Sequence, residues 1–144
     1  MKSLQEQIVK RLSEWPAIQS LGIDLVAHEA SDLVARLNES LAKKKGLCVI
    51  VSTPSYGCSN PQLPAPVFDG VTADITVFEN VLLNRSATGL NVCALELVVL
   101  AAQALWHFRP DGWPVLYLRK TESISPVRDE KLSGYSLHLT GGHK

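Results

Sequence analysis

The chain has 144 residues, with fourteen lysines and arginines set against fourteen aspartates and glutamates. That length suits one domain burying roughly two-thirds of its unfolded surface, which needs neither disulfide nor metal to be stable. The even charge excludes a general field that would draw in nucleic acid or an acidic membrane, and three cysteines at irregular spacing form no disulfide framework and fit a reducing compartment.

The start, Met1 to Glu6, enters an amphipathic pattern directly and lacks the apolar core of a secretory signal, so the reading expects a cytoplasmic protein. Ser3 and Glu6 have the spacing of a capping box, and Ile8, Val9 and Leu12 form the apolar stripe of a first helix that stops near Trp15-Pro16. A short extended piece follows from Gly22 to Ala27. A second amphipathic helix is expected from Ser31 to Lys45, with Leu33, Val34, Leu37 and Leu41 on one side, Lys43 to Lys45 against the negative end of its dipole, and Gly46 as its stop.

Leu47 to Val51 is apolar and rich in β-branched residues, too short for a helix, and reads as a strand covered on both faces. The segment from Thr53 to Gly70 holds four prolines and reads as a long loop of the kind that often serves binding or assembly. Val71, Ala73, Ile75 and Val77 then alternate with Thr72, Asp74 and Thr76, the period of a strand with one buried face. A polar turn ending Asn84-Arg85 leads to a helix from Asn91 to Phe108 that is apolar around most of its circumference.

That helix carries Val92, Leu95, Val98, Val99, Ala102, Leu105 and Trp106 and reads as a core helix, its most apolar run being broken by Glu96 and Gln103 and too short for the roughly 20 residues that span a bilayer. Glu96 is expected to face solvent, a subunit contact or an arginine such as Arg85, because an unpartnered buried carboxylate is costly. Pro110-Asp111-Gly112 is expected to close the helix, and the aromatics at Trp106, Phe108 and Trp113 to close the core. A final sheet region begins at Val115 to Leu118. Ser123 to Val127 and Leu132 to Thr140 form a hairpin around Arg128 to Lys131, and 141–144 is expected to fray.

The expected architecture is a single α+β domain over 1–144: an N-terminal helical region at 1–45, a strand-helix-hairpin core at 46–140, and a small, mostly antiparallel sheet with helices packed on one face. No catalytic, cofactor-binding or metal-binding set stands out in it. Cys48, Cys58, Cys93 and His107 are chemically suited to zinc, but no two of them have close ligand spacing. Cys58 with His28, His107 or His138 as base is the alternative, a small cytoplasmic enzyme or ligand-binding domain, although no nucleophile elbow surrounds Cys58. The glycines at 57, 141 and 142 sit away from any strand-to-helix phosphate loop.

The run from Val71 through Glu79-Asn80 to Asn84-Arg85, the helix after it, and the hairpin from Ser125-Pro126-Val127 to Leu139 resemble the tail-terminator (tail-completion) proteins of tailed phages and prophages, over roughly residues 46 to 140. The resemblance lies in element order. It implies a non-enzymatic subunit, without cofactor, that forms a ring, commonly a hexamer, on the last ring of the tail tube and offers a surface to the head connector. It further implies assembly in the bacterial cytoplasm and then residence in the virion, with no membrane and no sequence-specific nucleic acid as partner. An exposed strand edge would pair subunits around the ring and the loop at 53–70 would meet the connector. The helix at Ser31 to Lys45 is extra to the compact family plan.

Overall fold

The computed structural model describes residues 3–22, 25–27, 46–55, 70–80, 92–124 and 132–141. The elements are α1 (Leu4–Glu14), a single turn α2 (Pro16–Gln19), β1 (Leu25–Ala27), β2 (Leu47–Val51), β3 (Val71–Asn80), α3 (Ala94–Leu105), β4 (Leu116–Ile124) and β5 (Leu132–Gly141). The helix expected at Ser31 to Lys45, the turns at Asn84-Arg85 and Arg128 to Lys131, and all but the ends of the 53–70 loop lie outside the described residues.

The five strands form one sheet in the order β1-β2-β3-β5-β4. β2-β3, β3-β5 and β5-β4 are antiparallel, and only the three-residue β1 runs parallel to its neighbour, Leu25 standing opposite Val49. A parallel neighbour cannot be reached by a tight turn, and the connection over 28–46 has the length a crossover requires. The fold is the α+β domain that the sequence implied.

One face of the sheet carries the helices. Leu47, Val49 and Val51 of β2, alternate residues of β3 from Val71 to Val77, and Leu137 and Leu139 of β5 pack with Leu4, Ile8 and Leu12 of α1 and with Leu97, Ala101 and Leu105 of α3. The opposite face is buried at Cys48, Ile50, Phe78 and Ser136, so β2 is enclosed on both sides as its unbroken apolar composition requires.

Several local expectations need correction. Ser3 is the N-cap of α1, but its side chain makes no capping bond, so the capping box is not formed. Polar side chains instead tie α1 to distant backbone: Gln5 donates to the Val51 carbonyl at 2.9 Å, while Gln7 donates to the Asp111 carbonyl at 3.0 Å and accepts from the Asp111 amide at 2.6 Å. Arg11 donates to the Ala104 carbonyl at 2.8 Å, where the negative end of α3 favours a cation, and its guanidinium lies over Trp15 and Phe108.

α3 stops earlier than expected. Trp106 turns to extended backbone and His107 takes the left-handed conformation, φ 52°, before Pro110 begins a separate turn. Cys93 is the N-cap of this helix and not part of its interior. Downstream, β4 is one strand through Ile124, with a bulge between Leu118 and Lys120, where the sequence suggested two shorter pieces. β5 runs through Gly141, one residue into the expected frayed tail, because Gly141 is paired both to Val71 and to Leu116.

Candidate functional site

α3 carries apolar residues around most of its circumference, leaving only Glu96 and Gln103 to mark a solvent side, and packing decides which of the remaining apolar residues are buried. Its core face is Ala94, Leu97, Val98, Ala101, Ala104 and Leu105. Three residues expected in the core lie outside it: Leu95 is 48% exposed, Val99 49% and Trp106 58%. With Ala102 they line up along the helix as a ridge. Trp113, Phe108 and Trp15 do pack against the core, so the aromatic cluster divides, with Trp106 alone of the three tryptophans turned out.

The ridge stands beside β4, the last strand of the sheet. Between them is a groove of about 450 Å³ lined by Leu95, Val98, Val99, Ala102, Trp106 and Leu118. Beyond the bulge, the side chains of Lys120 to Ser123 are exposed, and β4 has no second strand partner among the described residues. Glu96 is exposed beside the ridge, as the cost of burying a carboxylate demands. Its suggested partner Arg85 is outside the described residues. At the other end of the ridge His107 stacks on Trp106, centroids 4.9 Å apart, and meets the edge of Tyr117 at 5.2 Å.

A second, polar constellation lies on the sheet face away from the helices. His138 of β5 stands directly opposite Asp74 of β3 in the strand register, with Glu122 of β4 on its other side. Its Nδ1 is 2.5 Å from Asp74 Oδ1 and its Nε2 is 2.6 Å from Glu122 Oε1. Both ring nitrogens therefore lie within hydrogen-bond distance of a carboxylate oxygen on a neighbouring strand. The hydrogen bond from His138, and after it the charge of Lys120 3.7 Å away, hold the Glu122 carboxyl below the usual range. Sequence alternation puts these polar residues on one sheet face, but only the register makes them neighbours.

The thiols do not join this cluster. Cys48 is buried in β2 opposite Phe78, four positions along β3 from Asp74, roughly 13 Å at the usual rise per residue. Cys93 and His107 lie beyond opposite ends of α3, roughly 20 Å apart along its axis, so they are not two ligands of one metal. Cys58 and His28 lie outside the described residues. Among the described residues no group of three or more His, Cys, Asp or Glu side chains is arranged to hold a metal ion, and no helix is long and apolar enough to cross a membrane.

No protein-family model matches the chain, and no curated protein matches it.

Proposed function

We propose that this chain is a structural subunit of the tail-terminator or neck type, made in the bacterial cytoplasm, which assembles with copies of itself into a ring on the end of a phage or prophage tail tube and presents a surface to the head connector. The observation that carries this reading is the half-exposed apolar ridge of α3 beside the edge strand β4. A subunit with a task in isolation gains nothing from leaving Leu95, Val99 and Trp106 half in water, since each forgoes about half of the roughly 1.5–3 kcal/mol that full burial contributes. A subunit waiting for neighbours recovers that energy on assembly.

In the polar cluster both ring nitrogens of His138 face carboxylate oxygens of neighbouring strands. The constellation acts as a cross-strand tie on β3, β5 and β4.

The test is imaging of the purified chain, alone and mixed with tail-tube protein from the same genome, by negative-stain microscopy alongside light scattering. Rings, or caps on the ends of tubes, are the expected result. Tubes that grow without limit in the presence of the chain, with no density at their ends, would sink the reading.

A further inference from the structure

The apolar ridge has a regular spacing: Leu95, Val99, Ala102 and Trp106 are separated by four, three and four residues. That is the period of a helix-helix seam, in which alternate steps of three and four keep one stripe facing a partner helix. Residues of the core face already pack against the sheet, so the seam is additional to the fold.

The geometry points to a second copy of this chain as the occupant, its own α3 laid antiparallel in the groove about a two-fold axis that passes between Val99 and Ala102. In this arrangement Val99 of each copy meets the small Ala102 of the other, and each Trp106 indole covers the other copy's Leu95, so large side chains face small or flexible ones. The helix dipoles oppose. One isologous contact thereby removes both ridges from water at once.

Charge complementarity selects this orientation. The exposed Glu96 carboxylate marks the N-terminal end of the ridge, while exposed Arg109, with His107, marks its C-terminal end. Neither Glu96 nor Arg109 has an ion-pair partner among the described residues. Antiparallel helices bring the acidic end of each copy to the basic end of the other. Parallel helices would instead set Glu96 against Glu96 and Arg109 against Arg109.

Strand-to-strand pairing of β4 is the competing contact, and the strand itself opposes it. The bulge after Leu118 interrupts the free edge, and Arg119 and Lys120 put two cations there, the means by which edge strands avoid indiscriminate pairing. The helix seam has no such obstacle. This pairing takes up the ridge on which the ring reading rests, so a ring would have to be built from such pairs through other surfaces, and the pairing itself does not depend on the virion role.

Sedimentation velocity on the full chain, from low to high micromolar concentration, tests it. A species of twice the 15.7 kDa chain mass is expected. Val99→Asp should convert it to monomer without changing the circular dichroism spectrum, because this side chain is half exposed in the fold. Glu96→Arg should weaken association about three- to fivefold, and adding Arg109→Glu should restore it, as for an exposed ion pair. A wild-type chain that stays monomeric throughout, or a folded Val99→Asp chain that still dimerises, overturns the pairing. A dimer that ignores tail tubes leaves it standing and rejects only the virion reading.

Discussion

Glu79, near the end of β3, accepts a hydrogen bond from the backbone amide of Ala94, the first residue of α3, at 3.0 Å, although fifteen positions separate them in the chain. Cys93 occupies the N-cap but contributes no side-chain bond, so a strand carboxylate performs the capping. Glu79 is only 2% exposed, and the positive end of the helix dipole favours a carboxylate there.

Replacing Glu79 by Gln keeps the shape but removes the charge that faces the dipole. Glu79→Gln is expected to cost about 1–2 kcal/mol and Glu79→Ala about 2–3 kcal/mol in urea unfolding, since the larger change also leaves the Ala94 amide unpaired. Equal stability of all three chains would show that the capping bond contributes nothing.

Leu105 and Trp106 are adjacent in sequence and opposite in environment. Leu105→Ala is expected to lower stability by about 2–5 kcal/mol by opening a cavity in the core, whereas Trp106→Ala should cost the monomer less than about 1 kcal/mol. Thermal unfolding of the two variants at low concentration separates them, and comparable losses would mean that Trp106 is a core residue after all.

Glu122 gives the chain a defined acid response. Its carboxyl is held below its ordinary value of 4.5 in the folded state by His138 and then by Lys120. A depressed folded value means a stabilising contribution present above the unfolded value and lost as the pH falls through the folded one. The wild type should therefore exceed Glu122→Gln in melting temperature at pH 6, with the difference shrinking below about pH 4.5. A difference that is constant across this range would exclude the ionised tie. The side chain is exposed, so added salt should reduce the effect.

At Gly141 the start of β4 closely approaches the backbone of β5. A Cβ built there lies 2.9 Å from the Val115 carbonyl oxygen, a backbone atom that cannot swing aside. Gly141→Ala is expected to destabilise the chain by about 1–3 kcal/mol, through displacement of the start of β4. Hydrogen exchange should report faster opening of the Leu116 to Leu118 amides, and unchanged exchange there would refute the close approach.

Alternation of apolar and polar residues was enough to read β3 and β5, and the unbroken apolar run of Leu47 to Val51 was enough to read a strand enclosed on both faces. The stripe of Ile8 and Leu12 likewise announced α1 and its stop at Trp15. These are local periodicities, and burial of one face or two is written directly into them. From them the α+β class followed without any coordinates.

Glu96 and Gln103 marked the solvent side of α3, but the flanking apolar positions Leu95, Val99 and Trp106 could not be assigned to core or surface from the sequence, because a helix apolar around most of its circumference satisfies the core from several nearby rotations. Packing against the sheet and α1 selects Leu97 and Leu105 for burial and leaves Val99 and Trp106 outside. The Glu79 cap and the Asp74, His138 and Glu122 tie are matters of register and chain return between residues far apart in sequence. Hydrophobic periodicity along the sequence determined that this chain would fold as an α+β domain. Tertiary packing alone decided which apolar surface remained uncovered, because the sheet can take only one side of the helix that crosses it.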